Sequence, residues 1–351
     1  MRIGQKKERE MEKVCIIGSG NWGTAISMII GKNAKAHPKI FAERVDMYVF
    51  EEVIPDRGNL SEIINKEHEN VKYLPGRKLP ENVVANPSLT DSVKDATILV
   101  FVQPHQFVPR TLKTIKDFVK PGARAVSLIK GFNIIDGKLI LISDMIKDTL
   151  GIECSVLMGA NIADEVADGK FCETTIGSRI EGDKSLWMSL FNLDDSFKVT
   201  VVKDVYGTEI CGSLKNIVAL GAGFVDGLGY GGNTKAAIIR IGLTEMIRFG
   251  KTFFKGVEDS TFLESCGVGD LITTCYGGRN RKCAEHFVKT GEDWDVIETK
   301  LLNGQKLQGT LTAIEVHEFL EKEGVLEKFP LFGMIYRIVK KEEPPMNITK
   351  F

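Results

Sequence analysis

A lysine inside an apolar helix pattern demands a reason. Lys215 and Asn216 lie in GSLKNIVALGAGFVDGLGYGGNT, residues 212–234, where most neighbours are apolar or glycine. Desolvating an ammonium group is costly unless it has a partner, and a desolvated lysine releases its proton more readily. Lys215 is therefore a candidate for proton transfer, and Asn216 beside it can donate to a hydroxyl or phosphate. Lys130, in SLIKGF (127–132), emerges at the end of a strand pattern, where it meets an anion, a carbonyl or solvent. DLITTCYGGRNRK (270–282) opens a helix with three basic residues. Its Arg279 offers a planar fork of donors, Thr274 a hydroxyl, and the helix start free N–H groups. That is a local anion site, unless it is only a solvated basic helix start.

A second chemistry is carried by VCIIGSGNWGTAIS, residues 14–27. An apolar strand pattern precedes Gly18-Ser19-Gly20-Asn21-Trp22-Gly23, and a helical pattern follows it. In this GxGxxG spacing Gly18 allows a tight turn, Gly20 lets backbone approach a pyrophosphate, and Gly23 lets helix pack on strand. The ligand class is a dinucleotide, unless the glycine-rich turn is incidental. The next strand pattern ends in Phe50, Glu51 and Glu52; an acidic residue there favours the free 2′-hydroxyl of NAD over the phosphate of NADP. The segment KNAKAHPKIFAER reads as an extension before that strand. Phe50 stacks on the adenine or lies in the core. Phe107, in FVQPHQF, is placed to line the cofactor, while His105 is either a proton-transfer group or a loop histidine bonded to backbone. Asn161 and Ala163, in GANIADEVADGK, are placed to touch the nicotinamide or its ribose. LLNGQKLQGTLTA (301–313) is a mobile lid or an ordinary turn.

These residues need a scaffold that brings strand ends together. The first half alternates short strand patterns with helical ones, as in a parallel sheet with crossover helices. Strands are predicted at Lys13–Ile17, Val45–Phe50, Val83–Ala85, Thr97–Val102, Ala123–Leu128, Ser155–Met158, Phe171–Ile176 and Lys198–Val202. After residue 203 only helices are predicted, over 205–225, 234–254, 259–265, 280–289, 293–302, 310–323 and 330–340. The fold class is α/β: a Rossmann-type, mostly parallel sheet in the N-terminal half and an all-α C-terminal half. The expected organisation is a flexible arm (1–12), an NAD-binding domain (13–203), a helical substrate and dimerisation domain (204–340) and a tail (341–351). With 43% hydrophobic and 26% charged residues the 351-residue chain is ordinarily globular. A net charge of −1 gives no field to draw nucleic acid or an anionic membrane. No apolar run is long enough to span a bilayer, so no membrane insertion is expected. Seven scattered cysteines without a CxxC pair read as reduced cytoplasmic thiols, with no metal site.

The segments GSGNWGTA, PHQF, SLIKG, VLMGANIA, GSLKNIVALGAGFVDGLGYGGNT, ESCGVGDLITTCYGGRNR and LLNGQKLQG together resemble NAD-dependent glycerol-3-phosphate dehydrogenase of the cytosolic eukaryotic type, from about residue 13 to about 340. The resemblance implies reversible reduction of dihydroxyacetone phosphate by NADH in a homodimer. It implies a reaction centre of Lys130, Asn161, Lys215, Asp270 and Thr274, with Lys215 as general acid and Lys130 polarising the carbonyl. Asn216, Arg279 and Asn280 would bind the substrate phosphate, Arg279 also lying near the cofactor pyrophosphate. Gly18 to Gly23 would hold that pyrophosphate, Phe50 and Phe107 would line the adenosine and nicotinamide sides, and Gln308 with Lys306 would belong to a closing loop. Ser213 departs from the Ala or Thr common in the family, and the tail from Lys341 lacks clear similarity. Two rivals stay open: a β-hydroxy acid dehydrogenase, because Arg279 serves a carboxylate as well as a phosphate, and an NAD-binding regulatory protein with weak catalysis.

Overall fold

The computed structural model describes residues 10–135 and 137–351. Its frame is an eight-stranded sheet. Six of its strands come from the first half of the chain: β1 (Glu12–Ile17), β2 (Phe41–Tyr48), β5 (Val83–Asn86), β6 (Ile98–Phe101), β7 (Arg124–Ser127) and β10 (Cys154–Met158). β11 (Cys172–Gly177) and β12 (Phe197–Val202) extend it. The order is β12-β11-β10-β7-β6-β1-β2-β5, and every neighbouring pair is parallel except β10 with β11. Two short hairpins, β3 (Val53–Ile54) with β4 (Gly58–Asn59) and β8 (Phe132–Ile135) with β9 (Lys138–Leu141), stand outside it.

Alternation explains the layers. In β1, Val14 and Ile16 face one apolar core while Cys15 and Ile17 face another, as expected of a strand covered on both sides. The first face is covered by α1 (Asn21–Ala36), α2 (Leu60–Glu67), α6 (Ala163–Ala167) and α7 (Asp183–Phe191); the second by α3 (Leu89–Val93), α4 (Val108–Ile115) and α5 (Ile142–Leu150). From β1 the chain runs outward to β2 and β5, then returns to β6 on the other side. The strand order thus reverses between β1 and β6, and a crevice opens at their carboxyl ends.

The helical half is built around α8 (Val205–Gly227). Every residue from Val205 to Val225 is buried except Tyr206 and Asn216. Asp204 starts this helix by accepting from Gly207 N at 2.7 Å. Packed around it are α9 (Gly232–Phe253), α10 (Asp270–Gly277), α11 (Arg279–Thr290), α13 (Gln308–Lys322) and α14 (Pro330–Val339), while α12 (Trp294–Leu302) packs on α11. A Cβ at Gly223 would lie 2.3 Å from the Arg281 carbonyl, so glycine is what lets α11 approach α8 so closely. Val156 and Met158 of β10 belong to the same core as α8, which fixes the helical half to the sheet.

Several sequence expectations need correction. The second strand begins at Phe41, not Val45, and ends before Phe50. The supposed extension is the last part of the 16-residue α1, a turn, and the first half of β2. Ala42, Arg44 and Asp46 line one half-open face of β2, and a search for strands apolar on both sides passes over it. The β8–β9 hairpin was not predicted; its Phe132 and Leu141 are buried in the helical core, so it straps the two halves together. Residues 259–265 are not one α-helix but a 3₁₀ segment (Asp259–Leu263) followed by a π turn (Ser265–Gly269). In the C-terminal segment Pro345–Thr349 forms a turn that buries Ile348 in the helical core. Of the expected N-terminal arm, residues 1–9 lie outside the described residues, and Glu12 already belongs to β1. All seven cysteines are free thiols, six of them buried. Among the described residues no helix is long and apolar enough to cross a membrane.

Candidate active site

The glycine turn sits in the crevice between β1 and β6. Gly18 has φ +125°, and a Cβ there would lie 3.0 Å from the Val102 carbonyl, so both conformation and space demand glycine. A Cβ at Gly23 would strike the Gly18 carbonyl at 2.3 Å. Gly20 differs, because a Cβ there meets nothing of the protein within 4 Å. It is also the N-cap of α1, which has no side-chain cap and no acidic residue in its first turn. Free N–H groups, the positive end of a helix and open space above a glycine fit a diphosphate. Ser19 is buried; Asn21 donates through Nδ2 to the Tyr73 carbonyl at 2.9 Å.

Beside this turn lies a cavity of about 250 Å³ lined by Asn21, Trp22, Lys130, Met158, Asn161 and Ala163, among others. Lys130 reaches it because β7 ends at Ser127 and the chain crosses the sheet edge to Gly131. Gly131 has φ +139°, and its N–H donates to Ser213 Oγ of α8 at 3.1 Å. A Cβ at Gly212 would lie 3.4 Å from Lys130 Cγ and 2.6 Å from Met158 Sδ, so α8 presents a glycine where the lysine passes. Asn161 turns its amide nitrogen to the Glu173 carbonyl at 3.0 Å and keeps its oxygen near Gly159.

Lys215 lies on α8 and Asp270 at the start of α10. The π turn before Asp270 is so tight that a Cβ at Gly267 would meet the Phe262 carbonyl at 2.2 Å. Lys215 Nζ donates to Asp270 Oδ1 at 2.5 Å and to Thr274 Oγ1 at 2.9 Å. Lys130 Nζ donates to the other oxygen of Asp270 at 3.0 Å, and lies 3.4 Å from the Gly159 carbonyl. One carboxylate thus holds two ammonium groups. Lys215 is 6% exposed and Asp270 3%, while the Lys130 side chain is 33% exposed.

The electrostatics follow from that count. Burial pulls Lys215 down to about 7, against the attraction of Asp270 and helped by repulsion from Lys130. Burial pushes Asp270 up, but Lys130 and Lys215 outweigh it and hold the carboxyl below its ordinary range. The two shifts agree, since a single negative charge cannot fully compensate two ammonium groups, of which Lys215 is buried.

The expected phosphate-binding residues are placed differently from one another. Asn280, buried, donates to Asn216 Oδ1 at 3.0 Å and accepts from Gly309 N at 2.8 Å. It links α8 to the start of α13 and leaves the Asn216 amide nitrogen as the donor. Arg279 is not buried. It is the exposed first residue of α11, with Nη1 3.1 Å from Gln305 Oε1. Lys306 is also exposed, and its ammonium lies on Asp295 at 2.8 Å and Glu298 at 2.9 Å, not in the lysine cluster. Gln308 opens α13, half-buried.

On the adenosine side Phe50 is 71% exposed, so it is no core residue; Phe107, on a 3₁₀ turn, is 52% exposed. The two acidic residues after β2 both have protein partners. Glu51 accepts from Ser61 N at 3.1 Å and Ser61 Oγ at 2.5 Å, and Glu52 from Tyr73 Oη at 2.6 Å and from Lys72. Sequence reasoning missed Gln305 and the Ser213 contact, which join residues far apart in the chain and leave no local signal.

A sheet switch point with an uncapped helix start, next to a lysine pair held by one buried carboxylate, places the protein among the dinucleotide-dependent dehydrogenases. Comparison with known proteins narrows this. The family model for the NAD-dependent glycerol-3-phosphate dehydrogenase N-terminus matches residues 13–183, and that for the C-terminus matches residues 204–350. Cytoplasmic glycerol-3-phosphate dehydrogenase [NAD(+)] of Bos taurus is 56% identical over 334 residues, 95% of each chain. The human glycerol-3-phosphate dehydrogenase 1-like protein is 56% identical over 333 residues, 95% of this chain and 94% of its own. A solved glycerol-3-phosphate dehydrogenase from Saccharomyces cerevisiae superposes with a TM-score of 0.93 at 49% identity, covering 97% of this chain and 99% of its own. The chain belongs to the NAD-dependent glycerol-3-phosphate dehydrogenase family, and its cofactor is NAD. The match to residue 350 includes most of the C-terminal segment that the sequence reading had left without similarity.

Proposed function

We propose that the chain reduces dihydroxyacetone phosphate to sn-glycerol 3-phosphate with NADH, reversibly and in the cytoplasm, with Lys215 as the general acid. The observation that carries this reading is the burial of Lys215 between Asp270 and Thr274, with a pKa near neutrality. When bound, NADH supplies the hydride that turns the carbonyl carbon into an alcohol carbon. The negative charge that grows on the substrate oxygen is met by Lys215 and Lys130 in a site shielded from water. Lys215 then passes a proton from Nζ to that oxygen and becomes neutral. In the reverse direction neutral Lys215 takes the hydroxyl proton. Lys130 polarises the carbonyl. Asp270 balances the charge and, with Thr274, orients the Lys215 ammonium.

The remaining roles belong to the same proposal. Asn216, Arg279 and Asn280 hold the substrate phosphate, with Arg279 exchanging Gln305 for the anion. Asn161, Ala163 and Phe107 line the nicotinamide side, Phe50 the adenosine side, and Gly18 to Gly23 the diphosphate. Lys306 and Gln308 belong to a loop that closes over the site. We also propose a cofactor domain over 13–203, a helical domain over 204–340, and a homodimer, which light scattering on the full chain tests. The activity is tested by loss of NADH absorbance with dihydroxyacetone phosphate, β-keto acids and unphosphorylated dihydroxyacetone. Turnover confined to the phosphorylated ketone supports the reading. Preference for a β-keto acid, or tight NADH binding without turnover, overturns it.

A further inference from the structure

The segment between α2 and β5 takes no part in the proposed chemistry, yet its Asn70 is 0% exposed and reaches under the glycine turn. Asn70 Nδ2 donates to the Ser19 carbonyl and to Thr24 Oγ1, both at 2.8 Å. Thr24 Oγ1 donates to the same Ser19 carbonyl at 3.1 Å. On its other side Asn70 Oδ1 accepts from Tyr73 N at 3.1 Å, and the Tyr73 carbonyl accepts from Asn21 at 2.9 Å. Two buried donors therefore converge on one carbonyl in the turn.

A trans peptide points its C=O and its N–H in opposite directions. Holding the Ser19 carbonyl inward turns the N–H of Gly20 outward. Gly20 is the residue whose missing Cβ leaves open space and whose helix start is uncapped. We propose that Asn70 is a positioning residue for the cofactor diphosphate, fixing the Ser19–Gly20 peptide so that its N–H faces the anion. Without Asn70 only the longer Thr24 bond holds the Ser19 carbonyl, so the peptide flips more readily, and the flipped form presents a carbonyl oxygen to a negatively charged ligand. The side chain must be an amide: a carboxylate in its place would set an oxygen against the Ser19 carbonyl, and an apolar residue would donate nothing. This inference rests on the dinucleotide reading of the glycine turn.

The test measures ligand affinity on the full chain by fluorescence titration with NADH, and by calorimetry with ADP-ribose, which keeps the diphosphate and lacks the nicotinamide. Asn70→Ala is expected to weaken both ligands about tenfold, the size of one lost hydrogen bond in the bound state. The loss falls on Kd and on KM for NADH rather than on kcat. Thr24→Val, which removes the second donor to the Ser19 carbonyl, is expected to weaken both ligands severalfold. A role confined to bracing the segment would lower the melting temperature and leave both affinities unchanged. Unchanged Kd values in folded Asn70→Ala overturn the proposal, as does a fall in kcat at unchanged Kd. If Asn70→Ala does not fold, Thr24→Val decides by the same criteria. Failure of the unaltered chain to bind either ligand instead overturns the dinucleotide reading, and this inference with it.

Discussion

Replacing Asp270 by Asn removes the negative charge placed between Lys130 and Lys215 and keeps its volume. Asp270 lies 2.5 Å from one ammonium and 3.0 Å from the other. Asn can turn its oxygen to one lysine only, and its NH₂ must then face the other. Lys130, one-third exposed, can withdraw toward water, but Lys215 is buried and cannot. Loss of an opposite charge in direct contact lowers an ammonium pKa by roughly 1–3 units. Lys215 already stands at about 7, so it falls to roughly 4–6 in the variant. At neutral pH each unit of further fall removes about nine-tenths of the protonated acid. The expected loss in kcat/KM for reduction is thus about 5- to 500-fold at pH 7, recovered in part by lowering the pH. The assay is the pH profile of kcat/KM for dihydroxyacetone phosphate in both proteins. In the unaltered chain the rate falls as pH rises through about 7, because the acid is lost; in the variant that limb moves to lower pH. A profile merely scaled down, with its limb in place, refutes the claim that Asp270 sets the charge state of Lys215. Breaking the buried pair also destabilises the fold, by up to about 3–5 kcal/mol for a closed site and less here because Lys130 reaches water. Melting temperatures therefore accompany the kinetics.

Other consequences follow from single contacts. Gly20→Ala is expected to leave the melting temperature unchanged, since no protein atom opposes the new Cβ, and yet to weaken NADH binding at least tenfold. Gly23→Ala forces a Cβ onto the Gly18 carbonyl at 2.3 Å and is expected to lower both affinity and stability, the latter by about 1–3 kcal/mol; equal melting temperatures for the two variants contradict this assignment. Glu245, buried on α9, accepts from Leu331 N and Phe332 N at 2.9 Å each and so caps α14. Glu245→Ala should cost roughly 2 kcal/mol or more in chemical denaturation, and an unchanged denaturation midpoint would show that water replaces the cap. Arg279→Ala is expected to raise KM for dihydroxyacetone phosphate far more than for unphosphorylated dihydroxyacetone; equal damage to both substrates removes Arg279 from phosphate binding.

What the sequence disclosed depended on how local its cause is. The glycine turn was legible because strand, turn and helix are consecutive, and each glycine answers a short-range steric demand. Lys215 was legible because an ammonium in an apolar helix is a conflict within a few residues, and its burial bears that out. The start of β2 was not, because its outward face carries Arg44 and Asp46. The β8–β9 hairpin is signalled in the sequence only by an Asp-Gly pair between two short apolar runs. The π turn that delivers Asp270 depends on how closely Gly267 approaches the Phe262 carbonyl, a contact local in the chain but outside the helix and strand periodicities. Arg279 shows the limit most clearly. Its residue type told of an anion, but its exposure and its bond to Gln305 depend on a loop 26 positions away. Asn70 and Ser19 stand 51 positions apart, and no spacing rule joins them.

The claim at the centre is that Lys215 gives the proton that completes reduction. The most direct measurement is the single-turnover rate of NADH oxidation by Lys215→Ala, with NADH and dihydroxyacetone phosphate both saturating. A fall of about 10²-fold or more, roughly 3 kcal/mol of transition-state stabilisation, with Kd for NADH held, is the predicted result. A rate within a few fold of the unaltered chain would contradict it.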